Sequence, residues 1–465
     1  MKTFDDELVS GSILRSVWKL AWPGVLLNLL NGVHGIIDHV LVGHFIGYEG
    51  NAAIGVAWQI YLVMVVFIAS LFQGMNVLVA RYAGRQDRQA ISRVTYQTFL
   101  AGIILVVGII MPLGLFTAPY LLTLLNQSPG VQVHALPYLR VLFAFGAPLF
   151  LMILLTYALQ AAGDPKTPLK LGVLATFLNA IISTVLITGF GPAPKLGATG
   201  AALGTCLAPL VSVVIAITLI FKRKLLIDRP ERLTLLPDLS VIRVVARIGI
   251  PTGLQAVLLN LGGVLLIRII GMLEHSAAAQ AAYTICYSQL FSIITWASFG
   301  LRASAATIIG QNIGAGKPER GKAGVHVAAT VGAAWAVVLG LLFWSCPQAL
   351  LSIFGASQEP VLGFGVTLLR YLAFSGVFLA VSLAITGGLQ GAGDTMTPMY
   401  IALITQIGVL LGICQVFAWL NLLSAQVVWC AILISHVTRC LLTYRAFQQG
   451  KWARINVELV AARQD

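Results

Sequence analysis

Charged side chains are scarce in this sequence. They make up 10 % of its 465 residues, whereas soluble domains carry about 25 %. Hydrophobic residues make up 58 %, and the mean hydropathy is +0.91. Apolar runs long enough to cross a bilayer recur along the whole chain, without the alternating pattern of membrane β-strands. The shortage of charge excludes a soluble fold with one large core, and we expect an all-α integral membrane protein.

Motifs of enzymes and motors are also missing. The chain has no G-x-x-x-x-G-K-[ST] phosphate loop, which excludes a P-loop ATPase motor. Its six cysteines fall mostly in apolar runs without metal-ligand spacing, and we expect them to be small packing residues. No basic segment with a cleavage site opens the chain, so no signal peptide is expected. The sequence predicts neither an enzyme nor a bound metal or cofactor.

Basic residues are concentrated between particular apolar runs. The chain has 29 Lys and Arg against 16 Asp and Glu. When twelve spans are assigned, 25 of the 29 basic residues fall on one side, five of them from Arg439 onward at the C-terminal end. The positive-inside rule then places both termini in the cytoplasm of a multi-pass plasma-membrane protein, and the charge indicates topology rather than a nucleic-acid partner. The predicted spans are residues 14–43, 52–80, 94–118, 135–160, 168–190, 197–221, 244–271, 277–301, 323–346, 364–388, 398–420 and 425–444.

One short loop occurs twice, 230 residues apart. It reads LQAAGDPKTP at 159–168 and LQGAGDTMTP at 389–398, with seven of ten residues identical. Because each half holds an even number of spans, both halves enter the membrane from the same side, and we predict two six-helix bundles related by a parallel repeat. The predicted regions are an N-lobe at 1–221 with helices 1–6, a cytoplasmic linker at 222–240, a C-lobe at 241–447 with helices 7–12, and a cytoplasmic tail at 448–465.

Both copies of the loop are expected to separate two helices at a short cytoplasmic turn. In the first copy, Gly163 is suited to end a helix in the left-handed conformation, Thr167 to cap the next helix, and Pro168 to occupy its first turn. Asp164 is expected to cap or to pair at this turn. The second copy places the same residue types at Gly393, Asp394, Thr397 and Pro398.

A single acidic residue lies inside a predicted span. Of the 16 Asp and Glu only Asp38 does, and an acid at bilayer depth costs about 2.5–3.5 kcal/mol, so it needs a functional reason. Asn28, Asn31 and His34 share one helix face with it, within an arc of about 120°. We expect this polar stripe to face a substrate cleft or a partner helix. The equivalent positions of the second half are Leu258, Leu261, Val264 and Arg268, so the chemistry is predicted to be asymmetric.

Other polar residues are candidate partners of Asp38. Pro23 removes a backbone hydrogen bond from span 1 and Gly32 permits close packing or flexing, so we expect this helix to bend. A carboxylate removed from water favours its protonated form, which suits Asp38 to carry a proton; Na⁺ bound by nearby oxygens is the alternative. Three polar residues of spans 5 and 6 either belong to the same site or form hydrogen bonds inside the bundle: Asn179, Ser183 and Thr205. Three glutamines either line the substrate cleft or pack between helices: Gln59, Gln73 and Gln289.

These features resemble the multidrug and toxic compound extrusion (MATE) family. The resemblance rests on the two six-helix repeats, the paired G-D-x-x-T-P loops and the span-1 sequence GIIDHVLVGHF, whose D-x-x-x-x-G-H resembles the bacterial DinF-like branch. It implies a V-shaped pair of bundles that exports amphipathic, often aromatic cations in exchange for H⁺ or Na⁺. The implied ion-coupled carboxylate is Asp38, with span 1 bending near Pro23. The implied surroundings of the site include Tyr138, Asn179 and Thr205.

Span 5 departs from the family pattern. The family commonly reads N-x-x-x-D there, whereas this chain has Asn179 and Ser183, so a second acid is missing. Spans 7 and 10 also lack the acids used for Na⁺ in the branch with a C-lobe site. We therefore expect a monomeric secondary active multidrug antiporter, surrounded by membrane lipids, in which H⁺ exchange runs through Asp38.

Two other functions stay open. One is a Na⁺-coupled exporter that uses the same N-lobe site. The other is a flippase for a lipid or lipid-linked precursor, although the near absence of Lys and Arg inside the spans argues against an anionic lipid cargo. A membrane-embedded enzyme or receptor would need a second polar constellation, which the sequence does not reveal.

Overall fold

All regular structure is helical over the residues that the computed structural model describes, which are 4–125, 128–229, 236–356, 358–455 and 457. The first half of the chain forms α1 (Glu7–Ser10), α2 (Ile13–Phe45), α3 (Tyr48–Gly84), α4 (Arg88–Leu105), α5 (Met111–Leu124), α6 (Pro129–Phe145), α7 (Ala147–Ala161), α8 (Lys166–Thr188) and α9 (Ala198–Phe221). The second half forms α10 (Leu239–Ile270), α11 (Ser276–Tyr283), α12 (Ser292–Gly314), α13 (Pro318–Ser345), α14 (Pro347–Ser352), α15 (Val361–Gly391), α16 (Met396–Leu403), α17 (Gly412–Trp419) and α18 (Ala425–Gln448).

The helices provide about twelve membrane spans. Eleven helical segments of the described chain are long and apolar enough to cross a bilayer, and α6 with α7 makes a twelfth if this pair is counted as one span. The two helices of the pair meet at 54°. Pro148 lies in the first turn of α7 and lacks the backbone N–H that would continue α6, which accounts for the break. The predicted all-α membrane fold is confirmed.

Three spans contain a π-helical turn. The turns are Val106–Ile110 between α4 and α5, Thr284–Leu290 between α11 and α12, and Ile404–Leu411 between α16 and α17. A π-helical turn inserts one extra residue and changes the direction of the side chains on one face, and such turns are frequent at functional sites. Two of the three lie in the second half of the chain.

Two compact units make up the structure. The first unit contains Leu26–Ile250, and the second contains Asp6–Val25 together with Pro251–Asn456. α2 therefore changes unit two residues after Pro23, and α10 changes unit directly before Pro251. The predicted lobes at 1–221 and 241–447 follow the sequence repeat, whereas the units divide these two helices; the lobe boundaries stay a prediction.

Glycines let helices cross closely in each unit. Within the second unit, a Cβ on Gly300 of α12 would lie 2.5 Å from the backbone nitrogen of Val25 on α2. Within the first unit, a Cβ on Gly74 of α3 would lie 2.1 Å from the carbonyl oxygen of Val245 on α10. Backbones this close tolerate only hydrogen at these positions, so both crossings depend on glycine.

The repeated loop forms the same turn twice. Gly163 and Gly393 both have φ of 95°, in the region that favours glycine, as predicted. Asp164 accepts a hydrogen bond from the backbone N–H of Thr167, and Asp394 accepts one from that of Thr397. The aspartates are the caps, and the prediction that the threonines cap is wrong. α8 and α16 begin one residue before these threonines, which are thus donors in the first turn.

The described part of the linker, 222–229 and 236–240, is tied to α4. Arg88 Nη1 lies 3.3 Å from Asp228 Oδ2, and Arg93 Nη2 lies 2.5 Å from Asp238 Oδ2. Burial by itself raises the pKa of Asp238, but hydrogen bonds from Ser240 and Arg93 outweigh it and lower this pKa below its usual value. Residues 230–235 of the predicted linker lie outside the described residues.

Candidate functional site

Asp38 is buried on α2 in the first unit. Asp38 is 6 % exposed, and its side chain projects from the same helix face as that of His34, one turn earlier. His34 Nε2 lies 3.7 Å from Asp38 Oδ2. His39 instead pairs with the side chain of Asn51. The helical spacing predicted this difference between the two histidines, because adjacent residues point about 100° apart on a helix.

α8 and α9 bring three polar side chains to Asp38. Thr205 Oγ1 lies 3.2 Å from Asp38 Oδ2 and donates to it. Asn179 Nδ2 donates to Thr205 Oγ1 and to Ser183 Oγ, both at 3.3 Å. A Cβ on Gly204 would lie 2.1 Å from Ser183 Oγ, so glycine permits the approach of α9 to α8 at this level. The structure thus brings together the predicted residues from spans 1, 5 and 6.

Two oxygen atoms of this cluster have no partner among the described residues. They are Asp38 Oδ1 and Asn179 Oδ1, and both are buried. A buried carboxylate oxygen without a donor is unfavourable when the group is charged, because no hydrogen bond compensates for the lost water. Oδ1 is therefore the oxygen of Asp38 at which a proton or another positive charge would relieve this cost.

Tyrosines lie beside the Asp38 cluster. Tyr138 on α6 is 1 % exposed, and its phenol lies within electrostatic range of Asp38, as the resemblance implied. Tyr61 on α3 is fully buried, and its hydroxyl has no partner among the described residues. A Cβ on Gly146 would lie 2.1 Å from this hydroxyl. Aromatic packing thus shields one side of the cluster from water.

The residues predicted to line a cleft have differing environments. Gln59 and Asn31 are exposed, Asn28 and His34 are half-buried, and Gln73 is buried, all in the first unit. Gln289 is exposed and belongs to the second unit. Pro23 is buried within α2, which is continuous from Ile13 to Phe45, and Gly32 has open space around its Cα. The cleft lining and the bend in span 1 stay predictions.

Arg439, assigned above to the cytoplasmic end of the last span, lies inside that span. α18 continues nine residues beyond it, which is about 13 Å of helix, and Arg439 is 9 % exposed. The side chain is thus buried within the unit, and its assignment to the cytoplasmic side stays a prediction. The sequence did contain a pattern that indicates a buried polar cluster here. Four polar residues follow one another on α18 at spacings of one, three and four, and all are buried: Ser435, His436, Arg439 and Thr443.

A family model matches the chain twice. The model described as MatE covers residues 23–185 and again residues 251–414. The chain belongs to the MATE family. The two matches fall in the two halves of the sequence repeat, so one MATE module accounts for each half. The predicted membership of the MATE family is confirmed, and the DinF-like branch stays a prediction.

MATE relatives match along almost the whole chain. The probable multidrug resistance protein NorM of Thermotoga maritima is 24 % identical over 449 residues, which cover 95 % of this chain and 94 % of that protein. The probable multidrug resistance protein YoeA of Bacillus subtilis is 25 % identical over 460 residues, with coverages of 96 % and 97 %. A solved structure of a multidrug resistance MATE family transporter, in an outward-facing conformation, matches with a TM-score of 0.88 at 18 % identity. The match covers 98 % of this MATE chain and 100 % of that one, so they share one fold.

Proposed function

We propose that this MATE protein is a proton-coupled multidrug efflux antiporter. Relatives from Thermotoga maritima and Bacillus subtilis are named probable multidrug resistance proteins, which supports this class of cargo. The exported compounds are amphipathic organic cations, which leave by alternating access in exchange for H⁺. The protein acts as a monomer in the plasma membrane, with both termini in the cytoplasm.

The Asp38 carboxylate is the observation that carries this proposal. Among the described residues it is the acid that lies deep within a span, away from both helix ends. Its Oδ2 accepts from Thr205, while its Oδ1 is buried without a donor. A carboxylate with one oxygen held and one open is able to stay ionised in one state of the cycle and to take up a proton at Oδ1 in the other.

Protonation changes the hydrogen bonds between α2 and α9. Thr205 has one hydroxyl hydrogen and two acceptors, Asp38 Oδ2 at 3.2 Å and the Ala201 carbonyl oxygen at 3.1 Å. When Asp38 is ionised, this hydrogen goes to the carboxylate. When Asp38 is protonated, the hydroxyl turns to Ala201 and α2 is held less firmly. Because α2 is continuous toward Pro23, its movement transmits the protonation state along the helix.

Coupling requires that the two protonation states differ in their affinity for cargo. An ionised Asp38 attracts an organic cation, and a neutral Asp38 does not. Proton entry from outside therefore favours release of the cation, and proton loss to the cytoplasm prepares the site for the next one. This exchange needs only one carboxylate, which fits the missing second acid at Ser183.

Na⁺ is the second candidate for the coupling ion at the same site. Asn179 Oδ1 and Asp38 Oδ1 are both buried without donors, and the hydroxyl oxygens of Ser183 and Thr205 belong to the same hydrogen-bonded cluster. Carboxylate, amide and hydroxyl oxygens are the ligands that hard cations prefer. The choice between H⁺ and Na⁺ is therefore a matter for experiment.

Proteoliposomes with an imposed pH gradient and no Na⁺ test the proposal. The efflux of a fluorescent organic cation is followed for the wild type, Asp38→Asn and Asp164→Asn. The last variant is the matched control, because it makes the same chemical change in a loop cap. We expect gradient-driven efflux in the wild type and the control, and none in Asp38→Asn.

Each other outcome has a definite meaning. Efflux by Asp38→Asn equal to that of the wild type, with both proteins folded, rejects Asp38 as the coupling site. Efflux that requires a Na⁺ gradient instead of a pH gradient favours the second candidate. Absence of cation efflux under either gradient, with movement of a fluorescent lipid between leaflets, favours a flippase.

A further inference from the structure

A second polar cluster lies in the membrane-spanning part of the second unit, around Arg439. Its guanidinium contacts the π-helical turn Ile404–Leu411. Arg439 Nε donates to Thr405 Oγ1 at 3.2 Å, and Nη2 donates to Gln406 Oε1 at 3.0 Å. Ser435 Oγ, one turn earlier on α18, donates to the carbonyl oxygen of Thr405 at 2.8 Å. Neutral oxygens of the protein thus hold the cation in place.

The second unit offers no counter-charge to Arg439. None of the ion pairs in the described residues includes it. An arginine inside a span is costly unless it is paired, and such residues mark ligand pathways. The described acids of this unit lie in loops or in the first turn of a helix: Asp6, Glu7, Glu274, Glu319, Glu359 and Asp394.

The guanidinium retains free donors. Arginine has five N–H groups, and the protein accepts two hydrogen bonds from Arg439, at Nε and Nη2. Nη1 donates to no acceptor among the described residues. The terminal edge of the guanidinium, formed by Nη1 and Nη2, matches the two oxygens of a carboxylate or phosphate. The half-buried Gln406 places this edge close to the surface of the unit.

Aromatic rings form a layer beside the cation. The ring of His436, three residues before Arg439, lies 6.5 Å from that of Tyr287 and 6.0 Å from that of Phe291, and these two rings are 5.3 Å apart, all measured between centroids. Ser375 Oγ lies 2.5 Å from His436 Nδ1 and fixes the imidazole. Tyr283 stacks on Tyr287 at 5.0 Å with an interplanar angle of 10°. These rings are buried in the core of the unit or packed against it, so they hold α18 and the guanidinium in place rather than contact a ligand.

Both neighbouring π-helical turns contribute to this site. Tyr287 belongs to Thr284–Leu290, and Thr405 and Gln406 belong to Ile404–Leu411. A Cβ on Gly262 of α10 would lie 2.2 Å from Gln406 Cγ, so glycine leaves room for the side chain that contacts Arg439. Its neighbour Gly263 has open space around it. The chain therefore holds the guanidinium, its acceptors and the aromatic layer in one built site.

We propose that the second unit contains a binding site for the carboxylate or phosphate group of an organic molecule, with Arg439 as its anion-binding residue. The cargo of this transporter then includes zwitterions and organic anions. This goes beyond the export of cations proposed above, and the binding itself needs neither Asp38 nor an ion gradient. The near absence of Lys and Arg inside the spans argued against an anionic cargo. Arg439 supplies such a positive charge within a span.

Equilibrium binding of two dyes that differ in one group tests the proposal. Rhodamine B carries a free carboxylate, and its ethyl ester has the same ring system without it. Fluorescence anisotropy with the purified full-length protein in detergent, without any gradient, separates this test from that of proton coupling. We expect the wild type to bind the acid more tightly than the ester.

Variants locate the preference. Arg439→Gln is expected to weaken binding of the acid by about tenfold to a hundredfold, the usual range for a charge-assisted hydrogen bond, and to leave the ester unaffected. Arg439→Lys retains the charge but not the planar fork, so it recovers part of the affinity. Gly262→Ala displaces Gln406 and weakens acid binding without touching the charge, whereas Gly263→Ala, with open space at its Cα, serves as the matched control.

Two results would overturn the proposal: equal affinity of the wild type for acid and ester, or unchanged acid binding in both Arg439→Gln and Gly262→Ala. If Arg439→Gln does not fold, Arg439→Lys and Gly262→Ala still decide. Nanodiscs with and without phosphatidylglycerol separate the sources of the anion. Competition by phosphatidylglycerol in the wild type identifies a lipid headgroup as the bound anion; competition by benzoate alone identifies a soluble aromatic anion.

Discussion

Each of the two units of this MATE protein carries a buried polar cluster, one around an acid and the other around an arginine. In the first unit Asp38 contacts Thr205 on α9, and in the second Arg439 follows Ser435 by one turn on α18. Thr205 and Ser435 are 230 residues apart, at the offset of the sequence repeat. The counterpart of Arg439 in the first half is Pro209. The repeat thus has a hydroxyl at one equivalent position in both halves, while the charged residues near it differ.

The two charged side chains also differ in the hydrogen bonds that they receive from the protein. Asp38 has a hydroxyl donor on one oxygen and none on the other, whereas Arg439 has two neutral acceptors and an unused amino group. Among the described residues neither charge has an oppositely charged partner; the half-buried His34, 3.7 Å from Asp38, is one only when it is protonated. In the functions proposed above, a proton or cation completes the hydrogen bonding of Asp38 and an anion completes that of Arg439.

The largest expected effect is a gain of stability when the charge is removed from either cluster. Arg439→Met replaces an unpaired buried cation by an apolar side chain of similar length. Because a charge inside a span costs about 2.5–3.5 kcal/mol, we expect a gain in stability of up to about that size, seen as a rise in Tm. Asp38→Asn is expected to raise Tm as well, since Thr205 keeps an acceptor. A fall in Tm for Arg439→Met would mean that the guanidinium is a structural element and would break the comparison.

The next effect compares the two positions related by the repeat. Thr205→Val removes the donor to Asp38, and a hydrogen bond to a charged group contributes about 1.5–3 kcal/mol, so proton-driven efflux is expected to fall about tenfold to a hundredfold. Thr205→Ser restores it. Ser435→Ala removes a bond to a backbone carbonyl and is expected to have a smaller effect on the same assay. Equal losses for both variants contradict the assignment of coupling to the first unit.

A third comparison concerns the helix crossings, one in each unit. Gly74→Ala and Gly300→Ala each push a methyl group against backbone atoms, and we expect both to destabilise by about 1–3 kcal/mol. Gly108→Ala in the first unit and Gly263→Ala in the second have open space and are the matched controls. Thermal unfolding in detergent measures all four. Tolerance of alanine at only one crossing would show that the two units are not built alike.

The smallest effect concerns the linker, which is tied to the first unit. Asp238→Asn removes a partly exposed ion pair with Arg93, and because water screens this pair we expect a loss of at most about 1 kcal/mol. The pKa of Asp238 is lower in the folded protein than its usual value of about 3.9. Its contribution is therefore present above that value and is lost as the pH falls through the folded pKa. Tm curves of the wild type and Asp238→Asn should converge below about pH 4; a constant gap contradicts the ion pair.

Much of the fold and half of the site follow from local patterns. Apolar runs of sufficient length specify spans, and repeated residues at one offset specify duplication, since both depend only on neighbours in sequence. The lone acid at position 38 stands out because membranes exclude charge. Its pairing with His34 rather than His39 follows from helical geometry alone. The sequence predicted the turn between the two helices. Whether Asp164 or Thr167 caps the second helix depended on the residue at which α8 begins.

The sequence by itself determined the helical membrane fold, the internal repeat and the importance of Asp38. Only the tertiary structure decided which oxygens of that carboxylate are held, where α2 and α10 change units, and that the side chain of Arg439 is buried. The physical reason is that hydropathy averages over a window, whereas burial of one side chain depends on what packs against it. A π-helical turn and a glycine on other helices create the environment of Arg439, and both lie far from it in sequence.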